Sequence, residues 1–483
     1  MKNILSFLLT FTLSTSLLAQ TTLIPDANFE QALINLGYDS GTPDGTVLTA
    51  NIDTITALDV SIENISDLTG IEDFTALSTL NCGGNLLTSL NITQNSALKV
   101  VRCNTNQLSS LDVSQNNDLV ELWCDGNQLS SLDVTQNQDL ALLSASSNQL
   151  NTIDVTQNLA LHFFRCSVNS LTSLDVSENT LLDTLYCNLN QITSINTFQN
   201  TDLLALSCYQ NQLTSLDITN NAKLVSLNCR DNEISSLDLS ENISLEALFC
   251  SLNRLNTLDV SENGSLAYLD CAANQLNNLN VSQNESIEVL RCSGNRINSL
   301  DVSQAIALTS LYCEENLITD LDVSQNTQLT ILHCNTNQLR CLNVKNGNNS
   351  SIFPNGLIAT NNPDLPCITV DDPSWATANW PNVGPSVSFS SNCASCTVGF
   401  DENMLTNFTF YPNPTQKIIH VDLGVVHENI KVELINSVGQ VLRSEQFQSS
   451  QQFDLHIDAP TGVYFFKIEA DHMTPQTTKV FKQ

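Results

Sequence analysis

The sequence predicts an elongated solenoid with a parallel β-sheet on one face, short second β segments on the back face and little helix, followed by a small C-terminal β-sandwich. Three observations predict it. Twelve of the sixteen cysteines stand at 82, 103, 124, 166, 187, 208, 229, 250, 271, 292, 313 and 334, a 21-residue count in which Ala145 is the only gap. Three residues after each of these thirteen positions comes an Asn, from Asn85 to Asn337, without exception. From residue 408 the period is gone, and short alternating apolar runs separated by turn residues replace it. A fixed period of about 20–50 residues means stacked units, each completing its core only against its neighbours.

The chain begins with Lys2, an apolar run from Ile4 to Leu18 broken only by Ser and Thr, and Leu17-Leu18-Ala19 ahead of Gln20. A basic start, a short apolar stretch and a small residue at a cleavage point make residues 1–19 a secretory signal peptide. The run is shorter than the roughly 20 residues a membrane span requires, and no other segment comes close, so the mature chain is expected to have no transmembrane segment. Residues 20–54 read as a helical cap: Asp26 can cap a helix on which Phe29, Ala32, Leu33 and Leu36 share a face, with Gly37 ending it. The following Asp39-Ser40-Gly41-Thr42-Pro43-Asp44-Gly45 has no strong calcium-ligand spacing and reads as a plain turn.

Residues 55–343 are the array. In Val101-Arg102-Cys103 the period of two sends Val101 and Cys103 inward and Arg102 to solvent. Thirteen such strands at about 4.8 Å per step give a sheet roughly 60 Å long. The Asn column is expected to bond backbone groups where the chain leaves the strand, and a second column, Asn116 to Asn326 with Ala305 as its interruption, to do the same at the opposite corner. Between them Leu111-Asp112-Val113 alternates again, which predicts the back-face segment. The Cys column reads as free thiols rather than disulfides between adjacent units, because in-register side chains point in parallel. The outward carboxylates, such as Asp112, Asp133, Asp154 and Asp175, stand one strand apart and repel, so each needs local backbone donors or an intervening cation; the Val-Ser-x-Asn that follows favours local donors.

These units resemble the bacterial 21-residue leucine-rich-repeat class, in which a nested second half reads Leu-x-x-Leu-Asp-Leu. That resemblance implies a leucine-rich-repeat solenoid that serves as a protein or glycan interaction scaffold, broadly similar to internalins.

In residues 344–396 the period is lost, and Cys341, Cys367, Cys393 and Cys396 fall among Asn, Pro, Gly and Trp. In an exported chain these are disulfide candidates closing the end of the array, with three connectivities open. Cys393-x-x-Cys396 alone supports neither redox chemistry nor zinc. Residues 397–407 read as a linker. Residues 408–483 contain Phe408-Thr409-Phe410-Tyr411-Pro412-Asn413-Pro414, Lys431-Val432-Glu433-Leu434-Ile435, Gly462-Val463-Tyr464-Phe465-Phe466-Lys467 and Lys479-Val480-Phe481-Lys482, short strands suited to a β-sandwich. They resemble the C-terminal sorting domain of the type IX secretion system of Bacteroidota. The resemblance implies engagement of that secretion machinery and a product secreted or held at the outer-membrane surface.

Fifty acidic against seventeen basic residues leave a formal charge of −33, which opposes nucleic acid and anionic lipid surfaces. The six His residues are scattered, with no His-Glu-x-x-His or Gly-x-Ser-x-Gly, so neither catalysis, a metal nor a cofactor is expected. Binding is expected on the exposed side of the sheet, where the residue before each Cys is free of packing duty. That column includes Arg102, Trp123, Arg165, Tyr186, Phe249, Arg291, Tyr312 and His333, a concentration of residue types that dominate binding hot spots. Phe163 and Tyr268 lie two positions earlier, and Tyr209 and Arg230 flank the strand on its other side. Two functions fit: adhesion or recognition of an extracellular protein or glycan through this stripe, or a structural spacer of the cell surface.

Overall fold

The computed structural model describes residues 20–393, 409–411, 415–436, 440–469 and 476–482. The signal-peptide and linker assignments, together with Cys396 and Pro412 to Pro414, lie outside the described residues. The chain divides into two compact units, Met1–Asn392 and Cys393–Gln483.

The first unit is the solenoid. Its front is a fifteen-stranded parallel sheet that runs from Ala57–Asp59 to Leu357–Ile358. Neighbours pair one repeat apart, Leu206 against Leu227 and Leu227 against Leu248, so the sequence period is the strand register. In each strand the middle residue is buried and its two neighbours face outward. A slip of one residue would turn a leucine column to water, which is why the register is unique.

The twelve column cysteines are free and buried beneath the sheet. Burial pushes their thiols up, to about 12 at Cys103, Cys187, Cys229, Cys292 and Cys334. They act as small apolar core residues, and Ala145, fully buried, fills the same slot.

Both Asn columns are ladders that tie each turn to the one before. In the first, the Asn106 amide donates to the Cys82 and Cys103 carbonyls at 3.0 and 3.1 Å, while its oxygen accepts from the Leu87 N–H at 3.0 Å. In the second, Asn137 donates to Val113 and Asn116 at 3.1 and 2.8 Å. Here the amide oxygens behave differently. Ten of them, Asn158 Oδ1 included, are buried without a hydrogen-bond partner among the described residues. The exception shows what is missing: Thr197 occupies a position that is Val113, Val134, Val155 or Val176 in other turns, and its hydroxyl donates to Asn221 Oδ1 at 2.9 Å. Val134→Thr is therefore expected to supply the same bond to Asn158. Urea unfolding should show it neutral to about 1 kcal/mol more stable, where a valine-to-threonine change in a saturated core would cost stability.

The Asp column is held locally. Asp133 accepts the Thr135 N–H at 2.9 Å and its hydroxyl at 2.7 Å, and Asp112, Asp154 and Asp175 likewise accept the amide two residues on. The amide and hydroxyl of Thr135 hold the Asp133 carboxyl below its ordinary range. Behind the sheet, the second segments pair as a four-stranded parallel sheet only at the C-terminal end, through Asp320–Asp322, Cys341–Asn343, Cys367–Thr369 and Ser388–Ser390. Among the described residues, elsewhere the back arcs meet only in the single bridge Leu174 to Ile195.

Both ends are covered, as a repeat array requires. At the N-terminus the helix Ala27–Asn35 starts on Asp26, whose one oxygen accepts from Asn28 and Phe29 N–H while the other accepts from Ser66 and Asp67. Phe29, Ala32 and Leu33 are buried against the first turns. Leu36 departs from the expected face: it is the C-cap residue, past the last helical turn, and stays exposed. At the other end the helix Pro373–Asn379, capped by Asp372, precedes the buried Trp380, and Cys341, Cys367 and Cys393 are each disulfide-bonded.

The second unit is antiparallel. Strand Ile418–Asn436 pairs along its length with Val441–His456. Thr409–Tyr411 adds to its first part, and Gly462–Glu469 with Gln476–Lys482 to its last. A register shift between Asp422 and His427 divides the two parts. Ile419, Val421 and Leu423 from before the shift and Ile430, Val432 and Leu434 from after it share one core with Phe466 and Val480.

Candidate functional site

The exposed side of the front sheet carries two rows of side chains, the first and third residue of every strand. Because each strand lies about 4.8 Å from the next, rings one or two strands apart reach one another. Trp123 and Phe163 centroids are 6.2 Å apart, and Tyr186 meets Phe163 edge to face at 5.9 Å. Farther along, Phe249 and Tyr268 lie 4.7 Å apart, the Arg291 guanidinium sits 4.5 Å over the Tyr312 ring, and Tyr312 meets His333 at 5.0 Å. Partial burial raises the Tyr268 phenol above its ordinary range, against the opposing pull of Arg291.

The structure therefore gathers six of the eight candidates from the sequence into two aromatic groups: Trp123 and Tyr186 in one, Phe249, Arg291, Tyr312 and His333 in the other. Arg102 is occupied in an ion pair with Glu121 at 3.2 Å. Arg165 is exposed and makes no ion pair among the described residues. Phe163 and Tyr268 join the groups although they stand in the other row: Phe163 lies between Trp123 and Tyr186, and Tyr268 packs on Phe249.

A second feature was not legible from composition. The residue two past each column position has a left-handed backbone in all thirteen turns, with φ between 51° and 68°. Only Gly84, Gly126 and Gly294 suit that conformation freely. Val168, Leu189 and Leu252 hold it while exposing 44%, 37% and 41% of their surface. An apolar side chain that is both strained and exposed gains nothing for folding. All three lie at the ends of strands that carry candidate residues: Phe163–Arg165, Thr184–Tyr186 and Ala247–Phe249. Relief of the strain gives a test: Val168→Gly is expected to raise stability by about 1 kcal/mol in thermal unfolding. An unchanged or lowered melting temperature would show the corner to be unstrained.

No group of three or more His, Cys, Asp or Glu among the described residues is arranged to hold a metal ion. A hollow lies around Asp238, Asp259 and Glu262, away from the rings.

A parallel-sheet solenoid of 21-residue turns with few helices is a leucine-rich-repeat fold. Comparisons agree. The functional domain of InlJ from Listeria monocytogenes, described as including a cysteine ladder, is 26% identical with a TM-score of 0.61, over 96% of this chain and 99% of that one. An internalin, InlF, from the same organism is 22% identical with a TM-score of 0.56, over 67% of this chain and 94% of that one, which speaks for the fold alone. No curated protein matches. Residues 409–483 match the family described as the secretion system C-terminal sorting domain. The chain is thus a leucine-rich-repeat solenoid joined to a type IX secretion sorting domain, which indicates export to the cell surface or outer membrane. No helix among the described residues is long and apolar enough to cross a membrane.

Proposed function

We propose that this protein is a non-catalytic recognition module of the cell surface or of the secreted fraction, binding an extracellular protein or glycan through the exposed face of its parallel sheet. The observation that carries this reading is the pair of aromatic groups, Trp123–Phe163–Tyr186 and Phe249–Tyr268 with Arg291–Tyr312–His333, on a chain of formal charge −33. Rings and guanidinium groups of this kind supply most of the energy at interfaces, while the small residues around them supply fit. The internalin-like fold supports the reading, since solenoids present long surfaces of this type.

The test is a triple substitution of Trp123, Tyr186 and Tyr312 by Ser in the full chain. Saturable binding on a protein-and-glycan array, and attachment of expressing cells, should fall at least tenfold while the circular dichroism spectrum and melting temperature hold. Attachment equal to wild type would leave the spacer role as the better account.

A further inference from the structure

In the row that precedes the Cys column, the two aromatic groups repeat one pattern. Trp123, Ser144, Arg165 and Tyr186 stand side by side on four successive strands. Six turns later Phe249, Asp270, Arg291 and Tyr312 do the same. Burial repeats with them: in both sets the first ring is half-buried, the next residue buried, the guanidinium exposed and the Tyr half-buried. Each set also gains a ring from the other outward row, Phe163 in the first and Tyr268 in the second. Six steps of about 4.8 Å place equivalent strands about 29 Å apart along the sheet.

Charge singles out the same two places. Across the thirteen front strands from Thr79–Asn81 to Ile331–His333, the two outward rows hold three Arg and two acids. Arg102 is paired with Glu121. The buried Asp270 carboxylate accepts from the Ser251 hydroxyl at 3.0 Å and the Ala272 N–H at 3.2 Å. Arg165 and Arg291 are left exposed, neither in an ion pair among the described residues, and the Arg291 guanidinium is laid over the Tyr312 ring. Acids return beyond the strand ends, at Asp125, Asp183, Glu246, Glu288 and Glu314, while Tyr209 and Arg230 flank the strands between the two sets. On a chain of formal charge −33, these rows are therefore where an anionic group meets free positive charge.

A guanidinium offers a fork of N–H donors that takes a carboxylate through two parallel bonds. A ring beside it gives a flat apolar face for the C–H groups of a sugar. Two equal stations call for a ligand that presents the same group twice. A linear polymer of one acidic sugar does so at every unit, whereas a folded protein does so only through its own symmetry. Resting on the recognition role above, we propose that the sheet binds a linear polysaccharide of carboxylate-bearing sugars at two equivalent stations. One is Arg165 with Trp123 and Tyr186, the other Arg291 with Phe249 and Tyr312. A single station, working against the overall negative charge, binds weakly. A polymer that reaches both gains the effective concentration of the second, which raises affinity by about 10²–10⁴.

The test titrates polygalacturonate, polyglucuronate and polymannuronate against the full chain in solution by calorimetry. Their trimers, too short to reach both stations, the carboxyl-reduced polymers and polyglutamate are titrated beside them. At least one uronate polymer is expected to bind, and its advantage over its own trimer to fall at least tenfold in Arg165→Gln and equally in Arg291→Gln. Trimer binding should persist in either variant and vanish in the double. Both side chains are exposed, so the melting temperature should hold. Binding by none of the three polymers, equal binding of a carboxyl-reduced polymer or of polyglutamate, or an unchanged polymer advantage in the single variants overturns the proposal. Cell attachment separates this from the broader reading. If the triple Ser variant detaches while the double Gln variant attaches as wild type, the two stations are wrong and the recognition face stands; if both attach as wild type, both readings fall.

Discussion

Between pH 9 and pH 10 the solenoid is expected to lose about 5 kcal/mol of stability through five thiols alone. Cys103, Cys187, Cys229, Cys292 and Cys334 are raised by burial from an ordinary value of 9.0 to about 12. The sign follows from which state holds the proton. A thiol raised on folding favours the folded state fully below pH 9, and that contribution drains away as pH climbs from 9 toward 12, because the unfolded chain ionises first. The seven other column thiols, from Cys82 to Cys313, are raised in the same direction and add to the loss. Against a total stability of about 5–15 kcal/mol for an ordinary domain, the effect is large enough to unfold the array. Urea midpoints at pH 8, 9 and 10 measure it, and iodoacetamide adducts counted by mass spectrometry should appear on these cysteines only as the midpoint collapses. A midpoint unchanged at pH 10 would rule the account out. Replacing Cys187 and Cys229 by Ala, the residue the chain itself uses at 145, should lower the starting stability by a cavity cost and flatten the alkaline loss.

The second large effect belongs to the Asn ladder under the sheet. Asn232 donates to the Cys208 and Cys229 carbonyls at 3.1 Å each and accepts the Leu213 N–H at 3.0 Å. Asn232→Ala leaves the buried Leu213 N–H without its acceptor and takes one of two amide donors from each of the Cys208 and Cys229 carbonyls, which keep Asn211 and Asn253, so a loss of about 2–4 kcal/mol is expected. Asn232→Asp keeps the shape but not the donors, and at pH 7 it aims a carboxylate at two carbonyls; it should be no better than Ala. Because each turn touches only its neighbours, the damage should split unfolding into two transitions about the mutated turn rather than shift one. A single transition with less than about 1 kcal/mol of loss would mean that the backbone groups find other partners. Circular dichroism with hydrogen exchange at residues 208–232 distinguishes these outcomes.

Much of this was legible in the sequence for a simple reason: stacking converts a fixed sequence interval into a fixed step in space. The count from Cys82 to Cys334 therefore gave the register of the sheet, the buried identity of the leucines and thiols, and the turn-to-turn role of Asn85 to Asn337 before any coordinate was known. It also showed which residues, such as Trp123 and Tyr312, face outward, since parity alone decides that. What parity cannot decide is which outward side chains meet. Trp123 reaches Phe163 across an intervening strand, and Phe249 packs on Tyr268 rather than on the Asp270 of its own row, because ring size and rotamer close those distances. Nor could composition reveal the left-handed corner, for only three of its thirteen residues are Gly and the rest are forced into place by the stack. The unpartnered oxygens of the second Asn column likewise follow from distances and angles. Period and parity fix where each backbone and side chain must begin; only tertiary packing fixes where each side chain ends.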